Sequence, residues 1–374
     1  MNSRLNPLTR RDFLGLAAIG FISPAEWKHY PDPATELDVF RLTDSAYASG
    51  MVPRHLRAFT RHSDILLYWS ERGGSRQAYL MDLRTGESKL LTEAAALDPA
   101  SLSLSPDDRN IFFFDGPSLR TAPFAGGRSR EIYQAADGAV PAGFTMGSDG
   151  ALYILEKQNG ITEKRNGILE SQSGRYVVNA LAKPLLPNAR PRRILETEEQ
   201  IQTMAARPRH PQLLYRTADA LWLMNGDGSG KRKINTEAGQ TGEAAWTPTG
   251  RTLTYLHIPE DTRQLVTLRE FTPEDNSDQL IAKTSQFISA GANADASVFA
   301  GASRSKASAY VLILLRSVRR ELALCEHRAS DPRMVEPVFS PDSRSIFFVS
   351  DRHGKPAVYR VHVERFVEET LEDQ

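Results

Sequence analysis

The side chains best suited to chemistry are thinly spread along this chain. Its eight histidines fall at positions 29, 55, 62, 210, 257, 327, 353 and 362. No two stand at the H-x-H or H-x-x-x-H spacing that sets a pair of imidazoles on one face of a strand or helix, so the local sequence offers no metal site. His62, His210 and His353 lie in or beside expected turns, where a solvated role is the simpler reading. Cys325 is the sole cysteine, which excludes an intrachain disulfide and a cysteine metal cluster. The stretch NGDGSGKRK (225–233) invites two readings and fails both. A phosphate loop needs Gly five residues before Gly230 and Ser or Thr after Lys231, and Asn225 and Arg232 stand there. A calcium loop could use Asn225, Asp227 and Ser229, but its twelfth position is Thr236 where a bidentate acid is needed. A hairpin turn suits the segment better, because Gly and Asn supply the positive φ such turns demand. No Gly-x-Ser-x-Gly elbow occurs, and repeats that run to residue 363 leave no space for a hydrolase domain after them.

What must position any site is a repeated hairpin. SPDSRSIFFVSDRHGKPAVYRV (340–361) reads as turn, apolar strand, polar turn, strand, and the same grammar occurs at SPDDRNIFFF (105–114). It recurs in eroded form at TPTGRTLTYL (247–256) and GSDGALYIL (147–155), and more weakly at TRHSDILLYW (60–69), RPRHPQLLYR (207–216) and NADASVFAG (293–301). Anchored at the turns, the copies fall at His62, Asp107, Asp149, Arg209, Thr249, Ala294 and Asp342. A period mostly in the forties with about four short strands per repeat predicts an all-β fold, a β-propeller of seven blades. One blade cannot bury both of its faces, whereas a closed ring can. Segment 36–44, ELDVFRLTD, resembles only the last strand of a unit and is expected to complete the last blade, closing the ring with an N-terminal strand. The widest spacing holds the Gly-, Asn- and base-rich stretch 156–193, which reads as an insertion in the form of a long loop.

Composition bounds the partners. The 374 residues hold 46 Lys plus Arg and 46 Asp plus Glu, a formal net charge of zero, so there is no basic field of the kind nucleic-acid binders use. Near the start, Arg10 and Arg11 precede an apolar run from Phe13 to Ile22, too short for an ordinary membrane span. This pattern reads as a twin-arginine export signal over 1–26, followed by a propeller over 27–366 and a tail over 367–374. The expected location is periplasmic or secreted, with a membrane tether if the signal stays on the chain. The export translocase would be a transient partner, and the folded chain is expected to be a monomer.

YPDPATELDVFRLT (30–43), MDLRTGESKLLTE (81–93), the run from Leu221 to His257 and EPVFSPDSRSIFFVSD (336–351) together resemble the oligogalacturonate lyase family. The resemblance implies a seven-bladed propeller that cleaves galacturonate oligomers from pectin by β-elimination. A divalent metal, typically manganese, would sit in the central funnel. Such a cation neutralises the uronate carboxylate and acidifies the neighbouring C–H, while a side-chain base removes that proton. Carried over by position, a family histidine in a Gly-His-Glu-x-Trp context becomes Glu243, the catalytic candidate here, in the stretch from Gly242 to Trp246. The family's Gln and two His before the last turn become Asp331, Met334 and Glu336, of which Asp331 and Glu336 could still hold a metal and Met334 suits a hard ion poorly. A third metal histidine has no counterpart between Gln286 and Ala292.

Two functions therefore stay open: a lyase on acidic oligosaccharides, and a non-catalytic periplasmic propeller of the TolB-like kind that binds a glycan or a protein. The plain alternative to a site at Glu243, Asp331 and Glu336 is a set of solvated acids on the blade rims. A uronate ligand without those histidines would lean on basic side chains, and Arg207, Arg209, Arg304 and Arg333 are expected near blade-strand starts, where propellers open their funnels.

Overall fold

The structure, a computed structural model, describes residues 22–158, 162–165, 168–171, 174–284, 286–305, 307–364 and 366. Arg10 and Arg11 of the expected export signal, and the tail beyond Phe366, lie outside the described residues. Among the described residues, seven antiparallel sheets of four or five strands follow one another along the chain. Blades 1 to 6 begin with the inner strands Ser49–Met51, Ser103–Leu104, Ala139–Met146, Thr203–Ala206, Gly239–Trp246 and Phe287–Ala292. Blade 7 is built from Val338–Phe339, Ser345–Ser350 and Ala357–His362, and its outer strands Asp38–Arg41 and Lys28–Pro31 come from the N-terminus. Val39 there lies opposite Val361, and Arg41 opposite Tyr359. The outer edge of blade 1 takes in Ile22–Ser23, which pairs with Ser88 and Lys89. Glu26 is ion-paired with Arg72 at 3.0 Å, so propeller contacts begin upstream of the boundary expected at residue 27.

The repeat grammar is visible in the backbone. Each of the seven turns puts one residue in the left-handed region: Ser63, Asp108, Gly150, Arg209, Gly250, Ala296 and Ser343, with φ between 58° and 81°. In blade 2 the Ser105 hydroxyl accepts from the Arg109 and Asn110 N–H groups and donates to Asp107, a local network that holds the reversal. The strands behind the turns carry the core. Phe112, Phe113, Phe114, Phe144 and Phe347 are all buried, as are Tyr68, Tyr215, Tyr255 and Tyr359. Burying an aromatic or aliphatic side chain of this size contributes about 2 kcal/mol, and adjacent sheets supply the second face each blade needs.

Segment 156–193 differs from its reading as a long loop. It contains the end of Leu152–Gln158, all of Arg175–Leu181 and the start of Arg192–Thr197, three of the four strands of blade 3, together with a short ribbon of Thr162–Arg165 against Ile168–Ser171. The β-branched run Val177–Val178 within the segment is buried sheet core.

Candidate functional site: the central channel

The inner strand of blade 1 is interrupted. Met51 is opposite Tyr68 and Phe59 opposite Leu66, so the inner strand runs eight residues while its neighbour runs two. The excess, Val52–Arg57, is thrown into the central channel as an arch, closed by a hydrogen bond from the Leu56 N–H to the Pro53 carbonyl. Pro53 has no N–H to give to a ladder, and the polar Arg54 and His55 do not alternate as a strand would.

Arg54 is the arch's most enclosed charge. One of its terminal nitrogens lies 3.0 and 3.1 Å from the two carboxylate oxygens of Glu243, and the other donates to the Ala290 carbonyl. Its side chain is 11% exposed and that of Glu243 30%. Three blades meet in this contact: Glu243 lies on the inner strand of blade 5, Ala290 on that of blade 6, and the Pro337 carbonyl of blade 7 borders Gly291 beside the Arg54 side chain. Desolvation in the channel pushes the Glu243 pKa above the ordinary carboxylate value and the nearby Glu336 charge adds to that, while Arg54 and Arg216 pull it back. His55 is open to the water of the channel but walled in by protein. Desolvation, and then the Arg54 charge, push its pKa down to about 4, which leaves a neutral imidazole at neutral pH.

On the side of the blade turns the channel widens into a cavity of about 640 Å³. Small residues on the inner strands, Ala205, Ala206, Ala245, Gly291 and Ala292, leave this space, while Trp246, Phe59 and Phe339 give it apolar walls. Its cationic lining is Arg54, Arg57, Arg61 and Arg209. Arg57 is fixed by Asp108 at 2.8 Å and by the Ser105 carbonyl, whereas Arg61 and Arg209 are exposed. At the other end, where the inner strands begin, Arg216 reaches the Thr241 carbonyl at 3.4 Å and keeps a buried Nε with no hydrogen-bond partner among the described residues.

The expected arginine set does not converge. A hairpin reverses direction, so residues just after an inner strand and residues just before one lie at opposite ends of the channel. Arg209 follows Thr203–Ala206 and lines the cavity. Arg304 follows Ser303, which lies opposite Phe287 at the start of its inner strand, and therefore sits at the far end. Arg333 precedes Val338–Phe339 in a 3-10 turn and binds Asp331 at 2.8 Å, both of them well exposed. Arg207 is a correction to the expected substrate role. It is 2% exposed, packs on the Trp246 ring, and binds Glu274, Gln212 and the Gly250 and Arg251 carbonyls, which makes it a clamp between blades 4 and 5.

The implied metal site fares similarly. Asp331 caps the 3-10 turn Pro332–Met334 and holds Arg333, while Glu336 is an exposed residue at φ 32°. Among the described residues no three His, Cys, Asp or Glu side chains gather as metal donors, and a guanidinium already holds Glu243. These residues do not fit a divalent ion. Of the three implied acids, Glu243 and Glu336 come within electrostatic reach of each other, and Asp331 is engaged elsewhere.

No family profile matches the chain. An oligogalacturonide lyase of Pectobacterium atrosepticum is 23% identical over 382 residues, spanning 91% of this chain and 97% of that protein. An oligogalacturonate lyase of Dickeya dadantii is 24% identical over 376 residues, 89% and 95% of the two chains. Over nearly its whole length this chain is similar to oligogalacturonate lyases. Among solved structures, an oligogalacturonate lyase in complex with manganese superposes with a TM-score of 0.83 at 23% identity, covering 92% of this chain and 98% of that one. The oligogalacturonate lyase of Vibrio parahaemolyticus gives 0.83 at 20% identity, covering 94% and 100%. The lyase fold is thus kept throughout. Sequence reasoning missed the arch with Arg54 and His55, and the signal lay in VPRHLR (52–57), which stands where the repeat requires an inner strand.

Proposed function

We propose that the channel takes short acidic oligosaccharides of the galacturonate class, with the cavity arginines holding the uronate carboxylates. The observation that carries this reading is the lining of the 640 Å³ cavity, where four arginines face a space walled by Trp246, Phe59 and Phe339. A uronate oligomer repeats one carboxylate per sugar and offers apolar C–H faces, so fixed guanidinium groups beside aromatic rings match it in both respects. In β-elimination a base takes the proton next to the carboxylate, the freed pair forms the C4–C5 double bond, the C4–O bond breaks and the leaving oxygen takes up a proton. Glu243 is the candidate base: it lies on the inner strand of blade 5 against the cavity-lining Arg54, and its pKa lies above the ordinary carboxylate value. Its hold by Arg54 weakens it as a base, so turnover by this route is slow. That same pairing favours the second reading, a propeller that binds a glycan or protein without cutting it. We also propose export by the twin-arginine route to the periplasm or beyond, on the strength of Arg10, Arg11 and the apolar run after them. Replacing both by Lys should leave the tagged protein inside the cell, and unchanged export would reject that part.

Calorimetry of the purified chain with saturated trigalacturonate tests the main reading. Binding should occur and weaken as salt is added, while ultraviolet absorbance of the unsaturated product rises slowly. Absence of binding to any acidic oligosaccharide would reject the reading in favour of a protein partner.

A further inference from the structure

We propose that Arg54 is the resident cation of this channel, so that Glu243 and Glu336 take no divalent ion. The proposal rests on the channel reading above for its setting but not for its test. A metal site in a propeller needs acids or imidazoles from several blades converging on one point. Here blades 5, 6 and 7 do converge, but on a guanidinium delivered by blade 1. Arg54 lies 189 positions from Glu243 and 236 from Ala290 in the chain, and joins the carboxylate of one to the carbonyl of the other. Gly291 sets how closely the blades approach here: a Cβ there would stand 3.5 Å from the Arg54 Cδ and Nη1 atoms, in ordinary contact, and only 3.3 Å from the Pro337 carbonyl oxygen, so Arg54 is packed directly against this backbone. Glu336 adds a second negative charge in reach, held at the positive φ of 32° directly before Pro337. A cation is therefore required at this point of the channel, and an arginine meets that requirement with a charge that no chelator removes and no change of metal supply alters.

The charge balance gives the test its sign. With the guanidinium in place, a divalent ion approaching Glu243 meets a fixed positive charge about 3 Å from the donor oxygens. With it removed, the Glu243 carboxylate, the nearby Glu336 carboxylate and the Ala290 carbonyl remain as hard oxygen donors, with Arg216 the remaining cation in the field of Glu243. The experiment is a titration of the full chain with manganese(II) alone, read from the six-line electron paramagnetic resonance signal of the free ion. The wild-type chain should leave that signal as in buffer. Arg54→Met should deplete it, with an affinity at least about tenfold above wild type, and the double variant Arg54→Met/Glu243→Gln should lose the gain. Stoichiometric uptake of one manganese by the wild-type chain would overturn the proposal, as would an Arg54→Met chain that folds and binds the ion no better than wild type. Should Arg54→Met fail to melt cooperatively, the wild-type titration decides alone. No sugar enters this measurement, so a chain that ignores galacturonate refutes the proposed function while the manganese result still judges Arg54.

Discussion

Arg54–Glu243 and Arg333–Asp331 are the same chemical pair in two settings. The first is walled into the channel, with side chains 11% and 30% exposed, and joins blade 1 to blade 5. The second lies on a 3-10 turn between residues two apart, with side chains 78% and 41% exposed. Water and salt screen the outer pair, and a local turn would place its members together in any case, so it does little for either stability or recognition. The inner pair brings together residues 189 positions apart, in a space where an unmatched charge is costly. Position in the ring, not residue type, decides which pair matters.

The contrast is broken most directly by removing one member of each pair. Arg54→Met should cost about 2 kcal/mol in urea unfolding, less than for a fully buried pair because Glu243 keeps part of its surface in the channel. Adding Glu243→Gln should return most of it, and the double-mutant cycle measures the coupling. Arg333→Ala should change stability by less than about 0.5 kcal/mol and leave trigalacturonate binding as it was. Equal effects from the two would remove the distinction.

A smaller effect, carried by pH, sharpens it. In the fold His55 titrates near 4, against 6.5 for the ordinary side chain. As pH falls below about 6.5 the unfolded chain takes this proton first, so the wild-type protein loses stability through that window. Melting curves of His55→Gln between pH 7 and 5 should show a shallower decline than wild type. A parallel decline would mean that the imidazole is not enclosed beside Arg54.

Arg209 offers the finest test, because it combines strain with function. It sits at φ 63° in a turn where four of the other six copies also use a side chain and two use Gly. Arg209→Gly should raise stability by about 0.5 kcal/mol by relieving that backbone, and should weaken trigalacturonate binding by removing a cation from the cavity wall. A stabilised variant with unchanged affinity would place the ligand away from the turn side of the channel.

How much of this was legible follows the same division. Ser105, Asp107, Ser340 and Asp342 announce their turns because each network is local, made by residues two to five positions apart. Blade count and ring closure follow from such signals plus strand pattern. Arg207 could not be separated from Arg209 by sequence, since two residues decide whether a side chain clamps Glu274 and Trp246 or faces the cavity. Arg54 was invisible for the opposite reason: its partners lie four blades or more further along the chain, and VPRHLR taken alone resembles any surface loop.

A crystal structure of the chain with saturated trigalacturonate bound tests the central claim, that the arginine-lined cavity of the channel is the site. It should show the sugar inside the channel, with uronate carboxylates within hydrogen-bond distance of Arg57, Arg61 or Arg209 and a ring face against Trp246. Sugar bound on the outer blade edges, or at the exposed Asp331–Arg333 turn with the channel empty, would contradict it.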